Sequence, residues 1–206
     1  RQMCIRDSSS LWRLDSSTGG LQPYDNTAGD MTANLGGTAG TLTIASGVSV
    51  NANLLNATVA NYVINGADAA SFLNFDGTTP TIASSSNTLT INARISGSSG
   101  LTKTGSGALI LGGANTFGGG LTWNETANHI LRLGTDTALG TGTLTLNGGS
   151  NRVEITSVGS ADRTFSNNIT SSKTSIYFGN AATNTGNLTF GNFTRAGGNL
   201  DISVFN

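Results

Sequence analysis

The chain is poor in charged residues, cysteine and long apolar runs, and each shortage excludes a class of protein. Charged residues make up 10% of its 206 positions, against roughly 25% in an average soluble domain. The net charge is −1 and no basic patch is present, which argues against nucleic acid or an anionic membrane surface as a partner. The single cysteine, Cys4, excludes an internal disulfide and a cysteine-based metal site. No apolar run approaches the ~20 residues of a membrane-spanning helix.

Small polar residues take the place of the missing charge. Gly, Ser, Thr and Asn together form about half of the chain. Helix formers are scarce, with only two glutamates and two lysines, and Thr, Asn and Gly disfavour helices. Short runs of Leu, Ile and β-branched residues recur between clusters of Gly, Asn and Ser, which is typical of many short strands. The composition therefore predicts an all-β protein.

The apolar runs recur about every 22 residues in two series, which we interpret as two strands per repeating unit. The inward residues of the first series are Leu42/Ile44, Ile64, Leu89/Ile91, Leu109/Leu111, Leu131/Leu133, Val153/Ile155, Ile176/Phe178 and Leu200/Ile202. Those of the second series are Val48/Val50, Leu73/Phe75, Ile95, Leu121/Trp123, Leu144/Leu146, Ile169 and Leu188/Phe190. A unit this small cannot bury its own apolar face, so the units must stack. The period predicts a parallel β-helix of roughly eight coils, with an antiparallel β-sandwich as the alternative because several gaps permit hairpins.

A longer motif occupies residues 87–149. Residues 101–107 read LTKTGSG, residues 113–117 read GANTF before a glycine run, and residues 138–149 read ALGTGTLTLNGG. In this order the segments resemble the autotransporter-associated β-strand repeat, also called the passenger-associated transport repeat. The resemblance implies a right-handed β-helical passenger stem of a bacterial protein exported across the outer membrane. It therefore implies an extracellular or cell-surface location.

We expect three regions along the chain. Residues 1–7, RQMCIRD, resemble translated adapter sequence and nothing downstream is similar to them, so we interpret them as a non-native leader. Residues 8–34 are expected to be an irregular or capping segment, and residues 35–206 are expected to form the β-helix. Neither a signal sequence nor the family's C-terminal membrane barrel is recognisable, so we expect an internal part of a longer protein.

The sequence offers no set of residues for catalysis, and we expect no catalytic residue, no cofactor and no metal. His129 is the only histidine. We interpret it as an exposed or edge residue rather than as part of a Ser-His-Asp system. Lys103 is interpreted as a solvated residue beside a glycine corner. Asp136 by itself falls far short of the six to eight oxygen ligands that calcium takes.

One strip of the predicted outer face carries polar and aromatic residues. Alternation in the first series places one residue per coil outward, namely Thr90, Ile110, Arg132, Glu154, Tyr177 and Asp201. Because Arg132 and Glu154 are 22 positions apart, we expect them to be stacked neighbours that form an ion pair worth about 0–1 kcal/mol. With Tyr177 they form a candidate binding strip. The clustered carboxylates of β-helical lyases and hydrolases are not found.

These patterns favour a structural or adhesive passenger stem with no catalysis on this segment. The alternative is a carbohydrate-active or carbohydrate-binding β-helix, for which Trp123, Tyr177 and Phe117 are the candidate contacts. Candidate partners are a host or matrix protein or a glycan, without nucleic acid and without a membrane span. Unpaired strand edges at the two ends of a rod also predict end-to-end self-association.

Overall fold

The structure, a computed structural model, describes residues 31–59, 61–85, 88–125, 127, 129–179 and 186–205, and the backbone of three short strands nearer the start. The expected leader, residues 1–7, and most of the expected capping segment, residues 8–34, lie outside the residues that the structure describes in full. Both boundaries therefore stay predictions. In chain order the strands are β1 (Gln2–Ile5), β2 (Trp12–Leu14), β3 (Leu21–Gln22), β4 (Thr32–Leu35), β5 (Thr41–Ile44), β6 (Ser49–Ala52), β7 (Leu54–Ala57), β8 (Tyr62–Gly66), β9 (Phe72–Phe75), β10 (Thr81–Ser84), β11 (Thr88–Ile91), β12 (Arg94–Ser96), β13 (Leu101–Thr104), β14 (Ala108–Leu111), β15 (Leu121–Asn124), β16 (His129–Leu133), β17 (Leu144–Asn147), β18 (Val153–Ser157), β19 (Arg163–Thr164), β20 (Ile169–Ser171), β21 (Ser175–Phe178), β22 (Leu188–Thr189), β23 (Phe193–Arg195) and β24 (Asp201–Val204).

The strands stack into a parallel β-solenoid of about seven turns with about 23 residues per turn. Sheet A has the order β23-β20-β17-β15-β13-β10-β7-β4-β1, with β2 and β3 added antiparallel at one edge. Sheet B has the order β24-β21-β18-β16-β14-β11-β8-β5, sheet C is β12-β9-β6, and sheet D pairs β19 with β22. The described residues contain no helix. The predicted all-β parallel solenoid is confirmed, and the antiparallel sandwich is wrong.

The core is a continuous column of aliphatic side chains. In sheet B, Leu89 pairs with Leu109 and Leu109 with Leu131, and none of these three is more than 1% exposed. Each strand contributes alternate residues to this interior because successive side chains point to opposite faces of a sheet. Stacking therefore buries the apolar face that one turn could not bury by itself.

The expectation of two strands per turn is wrong for the turns from β4 to β12 and for those from β17 to β22. The turns from β4 to β12 have one strand in each of sheets A, B and C, and the turns from β17 to β22 have one in each of sheets A, B and D. The predicted second series begins in sheet C, with Val50, Leu73 and Ile95, and moves to sheet A at Leu121. Its last step is wrong, because Leu188 lies in sheet D and Ile169 of sheet A pairs with Phe193. The second series passes over the early strands of sheet A because their inward positions include small residues such as Ala33, Ala57 and Ser84, which give weak hydrophobic alternation.

Three steps of the predicted first series are displaced by two residues. Ile64 pairs with Ile91 rather than Leu89. Leu131 pairs with Ile155 rather than Val153, because His129 occupies the inward position opposite Val153. In the last turn, Ile176 pairs with Ile202 rather than Leu200. The spacing of these pairs depends on the length of the intervening corners, which apolar periodicity does not report.

Asparagine side chains bridge turns where sheet C has no strand. The Asn115 carboxamide accepts a hydrogen bond from Ile95 N at 2.7 Å and donates one to Ala138 O at 2.6 Å. Asn167 donates to Gly142 O at 2.6 Å in a similar way. These buried amides satisfy backbone groups that have no ladder partner there.

Among the described residues, no helix is both long and apolar enough to cross a membrane.

Candidate functional sites

Both lysines of the chain and its only histidine meet inside the solenoid with one of its two glutamates. Lys103 lies on β13, Glu125 directly follows β15, His129 begins β16, and Lys173 lies between β20 and β21. The residues are 0%, 6%, 4% and 0% exposed, respectively. We call these four residues the ionic cluster. They concentrate ionisable side chains in the core of a chain that has few of them.

Lys103 is the most completely bonded member of the ionic cluster. Its Nζ donates to Thr104 O at 2.8 Å, to Gly105 O at 2.7 Å and to Glu125 Oε1 at 3.3 Å. An ammonium has three donors, so all three are used. The Nζ atom also lies 5.2 Å from the centroid of the Trp123 ring, within cation–π range.

Glu125 joins the other two members of the ionic cluster. Its Oε2 atom is 3.6 Å from His129 Nε2, and its backbone carbonyl accepts a hydrogen bond from Lys173 Nζ at 3.1 Å. Lys173 reaches across the intervening turn because the corner residue there is Gly148. A Cβ at Gly148 would lie 2.4 Å from Glu125 O and 3.4 Å from Lys173 Nζ.

Burial controls the electrostatics of the ionic cluster. Desolvation lowers the pKa of Lys103, and the nearby Glu125 carboxylate opposes that shift. Desolvation likewise raises the pKa of Glu125, against the attraction of Lys103. The pKa of His129 is lowered by desolvation and then by the positive charge of Lys103. Desolvation also lowers the pKa of Lys173, with Glu125 opposing it.

The ionic cluster acts inside the protein, since its side chains are shielded from solvent and a ligand site needs an accessible concavity. It connects successive turns, because Lys103 and Glu125 are separated by 22 residues and Glu125 and Lys173 by 48. Its chemistry is charge pairing between turns of the solenoid.

The sequence-based interpretations of two cluster members are wrong. Lys103 is buried rather than solvated, and His129 is buried rather than exposed. The burial of Lys103 could have been predicted from strand alternation. An inward Leu101 requires the residue two positions later, Lys103, to face inward too. Nothing in the local sequence indicates that Lys173 approaches Glu125.

The predicted outer strip of Arg132, Glu154 and Tyr177 is only partly assembled. Arg132 pairs with Thr156, so the expected stacking of Arg132 on Glu154 is wrong. Glu154 does pair with Tyr177 on the next strand. The structure places Arg152 beside both, with Nη2 3.9 Å from Glu154 Oε2 and the guanidinium carbon 4.7 Å from the Tyr177 ring centroid.

Asp136 lies at the surface beside Arg163. Its Oδ1 atom is 3.7 Å from Arg163 Nη1 and accepts a hydrogen bond from Thr164 N at 3.3 Å. Within the described ranges, no group of three or more His, Cys, Asp or Glu side chains could hold a metal ion. Its two contacts make Asp136 a local partner for Arg163 and Thr164 on a neighbouring turn.

Part of the chain has a curated relative. Over 116 residues, 55% of this chain, it is 41% identical to the adhesin BmaC autotransporter of Brucella suis biovar 1 (strain 1330). The chain is similar to part of an autotransporter adhesin. It spans 3% of the length of that relative. No protein-family profile and no solved structure matches the chain.

This similarity and the parallel solenoid together confirm the predicted resemblance to autotransporter passengers. The match to an autotransporter adhesin implies export to the cell surface. A surface protein of this kind meets its partners with the outer faces of its turns, since the interior is filled by side chains.

Proposed function

We propose that this segment is an adhesive stem of an exported surface protein and that it catalyses no reaction. The observation that carries the proposal is the uninterrupted parallel pairing of sheets A and B from β4 to β24, in a chain similar to part of an autotransporter adhesin. Such a rod presents long side faces while its backbone hydrogen bonds are satisfied along the axis.

The mechanism is mechanical and additive. Each turn contacts only its neighbours, so rigidity is the sum of ladder hydrogen bonds and aliphatic contacts between turns. A rod of this kind holds a distal part of the protein away from the cell. Many weak contacts along its sides would together give a firm attachment. Once one contact has formed, the next binding site on the same rod is held close to its partner at a high effective concentration.

A bead assay tests adhesion and catalysis together. Beads coated with the purified chain are applied to cultured host cells, to immobilised matrix proteins and to polysaccharide films. Soluble polysaccharides are incubated with the same protein while new reducing ends are measured. Adherence without new reducing ends supports an adhesive stem, whereas beads that adhere to none of these surfaces contradict the adhesive role.

The carbohydrate-active alternative rests on the outer strip. Tyr177 is its half-buried aromatic residue, next to Glu154 on the adjacent strand, and Glu154 is only 7% exposed. The other two suggested contacts, Trp123 and Phe117, are wrong because both are buried in the core. A glycosidase of the usual kind needs a second carboxylate close to the first. Release of reducing ends that is lost in Glu154→Gln and kept in Asp136→Asn would move the function to this alternative.

A further inference from the structure

The outer face of sheet A carries an unbroken ladder of threonines. Six successive turns place a threonine at the same outward register position, and each pairs with the next. We call this set the threonine ladder; its members are Thr81, Thr102, Thr122, Thr145, Thr170 and Thr194. All are at least partly exposed. Parallel strands lie about 4.8 Å apart, so the hydroxyls repeat at that spacing.

The rest of this face is also small and uncharged. From β7 to β20, every outward strand position of sheet A is Thr, Asn, Ala or Leu, whereas the outward positions of sheet B include Arg132, Glu154 and Tyr177. A second outward column follows the threonine ladder two residues later along the strands, and it includes Asn56, Ala83, Thr104, Asn124 and Asn147. The two columns are about 6.6 Å apart along the strand direction.

The chemistry of this face restricts its partner. Sites for small molecules are concave and largely apolar, and protein interfaces depend on buried aromatic and Arg anchors, none of which faces outward on the strands of sheet A from β7 to β20. A charged polymer needs opposite charge, which is missing as well. Hydroxyls and carboxamides donate and accept hydrogen bonds at once, as sugar hydroxyls do.

We propose that the threonine ladder binds an extended, uncharged polysaccharide that lies along the solenoid axis. The polymer contributes a similar set of hydroxyls with every sugar, and the protein contributes a similar set with every turn. Each contact is weak, and their number gives the affinity. This assignment rests on the adhesive role proposed above and names its partner, but the stem role does not depend on it.

Chain-length dependence tests the ladder directly. Calorimetric titration of the purified chain uses linear β-(1→4)-glucan oligosaccharides from the disaccharide to the octasaccharide. The ladder predicts no measurable binding of the disaccharide and an affinity that rises with length until the ligand covers the six threonines. Equal affinity for all lengths indicates a local pocket and overturns the proposal, as does the absence of binding at every length.

Matched variants locate the binding face. Thr122→Val/Thr145→Val keeps the β-branched shape and removes two hydroxyls from the middle of the threonine ladder. At about 1 kcal/mol per hydrogen bond, affinity for the hexasaccharide should fall at least about tenfold. The control is Thr88→Val/Thr90→Val, two outward threonines of sheet B, which should leave affinity unchanged. Thermal melts of both variants establish that the fold is kept.

Other outcomes separate this proposal from the adhesive role. Equal losses in the two double variants, or none in either, overturn the assignment to sheet A. Beads that adhere to a purified matrix protein, unaffected by Thr122→Val/Thr145→Val and with no glucan binding, overturn the polysaccharide assignment and leave adhesion standing. Beads that adhere to nothing, with no glucan binding, remove both.

Discussion

Replacing Glu125 with glutamine tests whether the ionic cluster is held by charge. The variant keeps the side-chain shape and an acceptor oxygen, yet it removes the negative charge between two buried ammonium groups, 3.3 Å from Lys103 Nζ. Removing one partner of a buried pair costs about 3–5 kcal/mol. The cost also has an upper limit, because a lysine left without its partner can lose its proton instead of staying charged. Neutralising an amine with an ordinary pKa of 10.5 at pH 7 costs about 5 kcal/mol. We expect Glu125→Gln to lose about 3–5 kcal/mol of unfolding free energy.

Urea denaturation at pH 7 measures this loss, with far-UV circular dichroism and tryptophan fluorescence as probes. The chain has two tryptophans, so a Trp12→Phe background makes Trp123, which lies over Lys103, the reporter of the cluster. Asp136→Asn is the matched control, since it also converts an acid to an amide beside a cation, but with a side chain that is 58% exposed. The control should lose about 0–1 kcal/mol.

A double-mutant cycle completes the test. Lys103→Met/Glu125→Leu replaces the buried pair by apolar side chains, which is often neutral or stabilising compared with either single change. We therefore expect the double variant to be more stable than either of its single components, Glu125→Leu or Lys103→Met. Losses that simply add, or a Glu125→Gln variant within about 1 kcal/mol of the parent, would refute a charge-held cluster.

Three further predictions follow from the core, the histidine and one corner. Leu131→Ala should cost about 2–5 kcal/mol in urea unfolding, because Leu131 is fully buried between two turns; a loss below that range would show that the core adjusts to the cavity. His129 resists protonation in the fold, since its pKa is lowered from 6.5. As pH falls from 7 to 5, the unfolded state takes up the proton first, and stability falls. The parent should therefore lose stability relative to His129→Phe over that range, and parallel pH profiles of the two proteins would contradict the assignment. Gly120→Ala should cost at least about 1 kcal/mol in thermal unfolding, because Gly120 has a φ of +85° and a Cβ there would lie 2.1 Å from Thr143 O; Gly149→Ala, which meets nothing within 4 Å, is its control.

The sequence by itself determined the fold class and most of the core. Residues such as Leu89, Leu109 and Leu131 alternate with polar residues at a spacing close to one turn, and all three are buried in one column. This works because a strand exposes alternate residues to the core, and because a short unit without helix formers can bury them only by stacking. The repeat at residues 87–149 also pointed to the autotransporter resemblance that the curated relative supports.

Register and long-range contacts were decided only by the tertiary structure. Arg132 lies beside Thr156 rather than Glu154, since corner length sets which residues stack and a shift of two residues keeps the same alternation. The ionic cluster is a further example, because it joins side chains up to 70 positions apart whose charges look like ordinary surface residues in the sequence. Alternation shows which way a side chain points, whereas the stacking of whole turns decides which charges meet, and that depends on every corner between them.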